Sequence, residues 1–501
     1  MPTNRFEWRH PEYDSNVGKW VRQRDCIEGE DAIKAKGVVY LPPLSGQHDA
    51  VVPAGKSAAP SVVTYSDYKN RASFLNATGR TVSGLVGLVT RKKTNFTGIE
   101  GTESWMATLT REGAPFSELV QTVLSETVGV GRFGVLVDLP VNTNGRTVNP
   151  YASEYTAEHI TDWNTVLDND GNEVLNYLVL TEPYWTANAQ NSGREKKLRY
   201  RVCTLQEAGS SFSDRPGGTM PENPVYMQRV YLPSTNNTFV GQPVQIPAGV
   251  GGRTLDHNPF TFFNPLSTKA RTERPPLLDL TVVNLSHFRN SADLEHGAHF
   301  TALPQPWAAG FNFNNTNLFI GSAYAWVSEE PEARAGYMEF TGKGLGFLQE
   351  LMEIKKREMA AMGARLLEEQ TPAGNAEATA TVALRMSGER AVLARVSLAV
   401  SQGLTKVIKD IMFLRGEESD DVRVILNNKF GTEGMTSDQL NALSTAVIDG
   451  LISYDTFFYN LKNAELIEED VTKEEELSRI QSGGPDLSRL PVDDNVTPTV
   501  E

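Results

Sequence analysis

The sequence is poor in the side chains that most often carry chemistry: its 501 residues include two cysteines, Cys26 and Cys203, and seven histidines. Two thiols cannot build a disulfide framework or a four-thiolate zinc site, so the fold has to stand on packing. Basic charge is scarce too, with 47 Lys and Arg against 62 Asp and Glu and a net charge of −15. That balance argues against a protein that clamps nucleic acid, since such affinity comes mostly from Lys and Arg neutralising phosphates. Loose contact with DNA stays open. No uninterrupted apolar run approaches the roughly 18 residues of a bilayer helix, and the start, MPTNRFEWRHPEYDS, has no signal-peptide core. The expectation is a soluble chain made and used in a cytosol, with no membrane partner. What is present is ordinary globular composition: 40% hydrophobic, 22% charged, and Gly and Pro without excess, at a length suited to roughly three or four domains.

The acidity is regional. Residues 417 to 501 carry 19 Asp and Glu against 6 Lys and Arg, a net of −13, which leaves the first 416 residues near neutrality at −2. Such a block reads as a solvated helical face with a soluble tail, or as a surface kept away from other polyanions.

Periodicity divides the chain into helical, β-rich and again helical stretches. Helices are predicted through Val17 to Arg24, up to a cap at Gly37, from Tyr68 to Val89 (Ala72, Leu75, Val82, Leu85, Val86, Val89 inward), and from Phe116 to Val128. Short strands follow: Gly134 to Pro140, then Thr165 to Asp168 and Glu173 to Leu180 across an Asn169-Asp170-Gly171-Asn172 hairpin turn, and onward to about Pro247. No helical pattern separates them, so the sheet is predicted antiparallel. After Arg274 come two long helices, one opened by Pro275 and Pro276 and one from Leu345 to Glu369, around an aromatic, Asn/Gly-rich insert at 302–342. Pro372 and Gly374 break the pattern at 370–380. A third long helix then buries Val392, Val396, Val400, Leu404, Val407, Ile408 and Ile411 and stops at Gly416. Thr436 to Gln439 and Thr472 to Glu475 have capping-box spacing, and residues 483–501 have a disordered composition. The fold class is α+β.

Candidate chemistry is thin. Gly129-Val-Gly131-Arg-Phe-Gly134 matches G-x-G-x-x-G, but that fingerprint needs a strand before it and a helix after it, and here the order is reversed. Gly336 to Gly344 misses the phosphate-loop spacing, and Asp168 to Gly171 lacks the closing ligands of a calcium loop. His287, His296 and His299 lie on one predicted helix, with no second element offering ligands for zinc. No nucleophile elbow is present, and no cofactor is expected. Lys355, Lys356 and Arg357 form a basic triplet flanked by Glu353 and Glu358, which suits a solvated face or sequence-independent phosphate contact. The two classes that remain are a non-enzymatic structural protein and a soluble α+β enzyme using the Gly129–Gly134 turn or the three histidines.

The order of elements, together with HPEY, KWVRQRDCIEGEDAIKAKGVVYLPPLSG, FLNATGRTVSGLVG, GRFGVLVDLP, HITDWN, PPLLDLTVVNLSHFRNSADLEHG and MGARLLE, resembles the portal (head-to-tail connector) proteins of tailed bacteriophages up to about Gly416. The resemblance implies a virion protein assembled in the host cytoplasm as a ring, usually of twelve subunits, at one capsid vertex. Double-stranded DNA would pass through it, weakly and non-specifically contacted, during packaging and ejection. Implied partners are the major capsid protein, scaffold, large terminase and head-to-tail adaptor or tail proteins; another virion structural subunit, such as an adaptor, is the neighbouring alternative. By resemblance, 1–274 is the β-rich wing, 275–301 and 343–369 the stem helices, 302–342 the clip, 370–381 the tunnel loop, 382–416 the return helix, 417–482 the crown and 483–501 a tail. The same resemblance assigns Lys355, Lys356, Arg357, Asn375 and Glu377 to the DNA tunnel, and Trp307, Phe311, Phe313 and Trp326 to clip contacts. The clip string itself departs from the family pattern.

Overall fold

A computed structural model describes residues 8–45, 47, 64–99, 104–140, 149–187, 193–215, 217–234, 238–302, 305–311, 326–327, 330–338, 342–364, 379–417, 420–428, 430, 437–464, 466–467 and 471–483. It is mixed α+β and forms two compact units, Met1–Lys429 and Phe430–Glu501.

The first unit opens with helices α1 (Pro11–Glu28) and α2 (Glu30–Lys36). Pro11 stands at the helix start, where its missing N–H costs nothing, and the ring nitrogen Nδ1 of His10 accepts the Glu12 N–H. The helix expected from Tyr68 to Val89 is in fact two, α3 (Tyr65–Arg71) and α4 (Ala77–Thr90). Competing partners cause the break: the Ser73 N–H donates to Ser291 Oγ and the Phe74 N–H to Glu30, while Asn76 caps α4 through the Gly79 N–H. Ala72 and Phe74 stay buried across the gap, so periodicity alone could not reveal it. Strand β1 (Asn95–Thr97) and helix α5 (Phe116–Gly129) follow.

The β-rich region runs β2 (Phe133–Asp138), β3 (Tyr151–Thr156), β4 (Ile160–Leu167), β5 (Glu173–Ala187), β6 (Arg194–Glu207), β7 (Pro224–Pro233), β8 (Phe239–Gly241) and β9 (Phe260–Phe263). It makes two antiparallel sheets, ordered β3-β2-β9 and β4-β5-β6-β7-β8. The β4–β5 turn falls at the predicted Asn169–Asn172, where Asp168 Oδ1 accepts the N–H groups of Asp170 and Asn172. The two sheets share a buried ionic network. Arg201 donates to Glu182 at 2.6 Å and to Asp138 at 3.0 Å, Tyr155 donates to Glu182, and Gln228 bonds both Asp138 and Arg201. Arg201 and these carboxylates are almost wholly enclosed, and each has partners, which is the condition for tolerating buried charge.

Next come α6 (Leu278–Thr301), β10 (Gln305–Ala309), β11 (Arg334–Met338), α7 (Lys343–Met359), α8 (Thr379–Arg415) and β12 (Arg423–Ile425). α7 ends ten residues before the expected Glu369, and a widened turn at Ala360–Ala364 follows with Gly363 at φ 109°. That backbone conformation suits glycine and stops the helix. The rest of the expected stem and most of the loop at 370–381 lie outside the described residues. α8 buries the expected stripe from Val396 to Ile411, but Val392 is 52% exposed. Ala391–Arg415 is long and apolar enough to cross a bilayer by length and composition, which a search for uninterrupted runs misses. Here it packs against α5, β2, β9 and β12. Its hydroxyls hold β12: Val424 and Leu426 donate their N–H groups to Thr405 and Ser401, and Ser397 donates to the Asn427 carbonyl. β1 pairs with the other edge of β12.

The second unit contains α9 (Ser437–Ile448), α10 (Tyr454–Asn463) and α11 (Lys473–Gly483). The box at Thr472 is reciprocal, since Glu475 N–H donates to Thr472 Oγ1 and Thr472 N–H to Glu475. Thr436 and residues 484–501 lie outside the described residues.

Two outcomes test this packing. A Cβ at Gly134 would stand 2.1 Å from Phe260 Cζ, a buried ring, so Gly134→Ala should cost about 1–3 kcal/mol through overpacking, read from the urea midpoint. Although burial opposes its charge, Arg201 and its other donors hold the Glu182 carboxyl down at about 2 against the ordinary 4.5. The folded value lies below the unfolded one, so this stabilisation is complete above about pH 4.5 and disappears as pH falls toward 2. Glu182→Gln should therefore lose about 3 kcal/mol at pH 7 and show a flatter acid limb, measured by urea unfolding from pH 7 to 2.5.

Candidate functional site

Two places in the first unit gather the motifs singled out by sequence: the junction beneath α6, and the α6–α7 pair with its insert. At the junction, α5 hands over to β2 through Gly129–Gly134, so helix precedes strand. Gly131 has φ 86°, and a Cβ there would lie 2.7 Å from Pro275 Cα. Arg132 is fully buried. Its guanidinium sits 4.5 Å from the ring centres of both Trp163 and Phe262, and His10 stacks on the same Trp163 at 4.0 Å. Its N–H groups donate to Asn264 Oδ1 at 3.2 Å and to the carbonyls of Ala270 at 3.0 Å and Arg271 at 3.4 Å. Burial pushes it down to about 9, so it is a cation at neutral pH. HPEY, GRFG and HITDWN, far apart in sequence, therefore meet in one stack that grips the segment leading into α6. These residues position the chain.

The α6–α7 pair is close-set. Gly297 of α6 faces Leu345, and a Cβ there would stand 2.7 Å from Leu345 Cδ2. At about 100° per residue α7 shows three faces. Leu345, Leu348, Met352, Lys355 and Met359 share the side toward α6. Gly346, Gln349, Glu353, Lys356 and Arg357 form a polar side. Phe347, Glu350, Leu351, Ile354 and Glu358 form a third, on which Phe347 is 67% and Ile354 38% exposed. No α7 residue before Met359 is buried. Away from α6 the helix is thus open along its length.

The basic triplet does not act as one patch, because Lys355 points toward α6 while Lys356 and Arg357 lie on the polar side. Lys355 Nζ donates to the Ser286 carbonyl of α6 at 3.2 Å, and Lys356 pairs with Glu353 at 2.7 Å. Arg357 stays exposed, with Nε donating to the Glu353 carbonyl at 3.4 Å. Of the insert, β10 and β11 form an antiparallel ladder with Trp307 opposite Gly336. Trp307 is 40% exposed, and Phe311 and Trp326 are half-buried. Phe313, Asn375 and Glu377 lie outside the described residues.

The histidines do not converge. His287 is buried on α6, held down to about 4 by burial and by the nearby lysines Lys356 and Lys355, with neither ring nitrogen bonded. His296 packs edge-on against Tyr68, and His299 meets Arg71 at 3.3 Å. Among the described residues no group of three or more His, Cys, Asp or Glu is placed to hold a metal ion. Sequence reasoning missed His257. It lines a cleft of about 970 Å³ beside Lys406 and Lys409 and bridges Asp410 at 2.9 Å and Asp256 at 2.8 Å. Those carboxylates outweigh burial and raise it to about 9, so it is an imidazolium clamp between a loop and α8, not a free base.

A family described as a domain of unknown function, DUF4055, matches residues 276–412, from α6 to near the end of α8. Comparison with curated proteins gives no match. Among solved structures the chain is similar to a protein in the neck of an empty gene transfer agent (GTA) particle computed with C6 symmetry, at 12% identity over 75% of this chain and 87% of that one, with a TM-score of 0.39. It is also similar to one in the neck of a native GTA particle computed with C12 symmetry, at 11% identity over 77% and 89%, with a TM-score of 0.38. A chain in the virion of the native GTA particle shows 11% identity over 75% and 85%, with a TM-score of 0.35.

Proposed function

We infer that this chain is a non-enzymatic portal subunit: copies close into a ring at one capsid vertex, and double-stranded DNA passes through during packaging and ejection. The observation that carries the reading is the open α7, a seventeen-residue helix paired with α6 across an insert and left uncovered by the rest of its unit. A helix that is apolar on one exposed side and isolated on a monomer surface marks an interaction face. In this reading α6 and α7 are the stem, β10 and β11 the base of the clip, the two sheets part of the wing, and residues 417–482 the crown. Capsid protein, terminase and tail components would meet the outer surfaces.

A conduit must let its cargo slide. DNA carries one negative charge per roughly 1.7 Å, and a chain of net charge −15 offers it little to hold. Lys355, engaged with α6, adds less to a tunnel wall than its sequence position suggests, which leaves Lys356 and Arg357 for brief phosphate contact.

Electron microscopy of the purified full chain, alone and with capsid or scaffold protein, should show closed rings of defined symmetry; persistent monomers at high concentration would reject the reading. The rings should bind linear duplex with a Kd of about 10⁻⁵ M or weaker at physiological salt, measured by anisotropy.

A further inference from the structure

Strands β5 and β6 outrun their sheet. β4 leaves β5 at Leu180 and β7 leaves β6 at Tyr200, yet the β5–β6 ladder continues from Thr181 opposite Tyr200 to Ala187 opposite Arg194. The result is a two-stranded ribbon projecting past its neighbours. Directly opposed residues share a face, so Pro183, Trp185 and Ala187 lie with Leu198, Lys196 and Arg194. All six are exposed, Trp185 by 64% and Leu198 by 39%. The other face is occupied: Glu182 takes Arg199 and Arg201, Arg199 lies over the Tyr184 ring, and Lys197 pairs with Glu195. A lone two-stranded ribbon is marginal in water and gains from a surface to lie on.

The open face has an apolar centre rimmed by two cations. The uncovered side of α7 has an apolar centre, exposed Phe347 and Ile354 with half-buried Leu351, rimmed by the carboxylates Glu350 and Glu358. Two unlike, complementary patches on one chain suit a head-to-tail contact between copies, whereas a contact setting either patch against itself would bring like charges together. We propose that the β5–β6 ribbon of one copy docks on the open side of α7 in a second copy, Trp185 and Leu198 against Phe347 and Ile354, with Arg194 and Lys196 meeting Glu350 and Glu358. The contact gives the proposed ring one of its interfaces and rests on that reading for its role. Trp and Arg at the centre and edge of such a patch are the residues that most often dominate association.

The test is a charge swap in the full-length chain. Arg194→Glu with Lys196→Glu, and separately Glu350→Lys with Glu358→Lys, should each weaken self-association at least ~10-fold by sedimentation. The combined four-residue variant should return to within ~3-fold of the unaltered chain. All sites are exposed, so monomer melting should stay unchanged and confirm folding. A photo-crosslinking benzoylphenylalanine at position 185, in isotope-mixed copies, should capture residues 343–359 of another copy. Rings that form normally with every variant, or that crosslink only elsewhere, overturn the docking and leave the ring reading standing. No self-association at any concentration rejects both. Lost duplex binding with unchanged assembly would assign the ribbon to nucleic acid and overturn the proposal.

Discussion

An enclosed cation sets the geometry of the first unit. Arg132 has no carboxylate among its hydrogen-bond partners; two aromatic faces, one amide oxygen and two carbonyls hold it instead. A guanidinium taken out of water needs hydrogen-bond acceptors and polarisable surroundings, and Arg132 finds both for its terminal nitrogens while Nε is left without a partner. Meeting that condition draws the 264–271 segment onto the α5–β2 turn, where Gly131 lets Pro275 approach. The course of α6, and with it the α7 partner and the insert, is laid down by that grip. Glu12, whose carboxylate accepts from Thr272 N–H and Oγ1, ties α1 to the same segment.

Much of the architecture was legible in the sequence because it follows from periodicity and turn chemistry. The hairpin at Asn169–Asn172, the antiparallel region, the long α6 and the buried stripe of α8 all came from local pattern. What failed has local causes too. The α3–α4 break is made by Glu30 and Ser291, residues distant in sequence that intercept backbone N–H groups. α7 stops at a positive-φ glycine inside a string that otherwise reads as helix. Ala391–Arg415 reaches membrane-like hydropathy only as an average, interrupted by the hydroxyls that serve β12.

The site was less legible. A run of three basic residues looks like a patch in one dimension, yet the helix turns Lys355 toward α6 and leaves only Lys356 and Arg357 on the polar side. The G-x-G-x-x-G string joins helix to strand, the order its context indicated, and its arginine proved to be the structural centre, which no spacing rule announces. His257 stood alone in the sequence and gained meaning only when folding brought Asp410 to it. The aromatic ladder of HPEY, GRFG and HITDWN shows why a recognisable string need not mark chemistry: their side chains are spent on one another.

The hydroxyls along α8 have a consequence for crowding. Three-residue β12 is satisfied on one side by β1 and on the other by Thr405 and Ser401, so it presents no row of vacant amides along which a foreign strand could zip. Edge-to-edge sheet growth needs such a row, and at β12 side chains borrowed from a helix remove it.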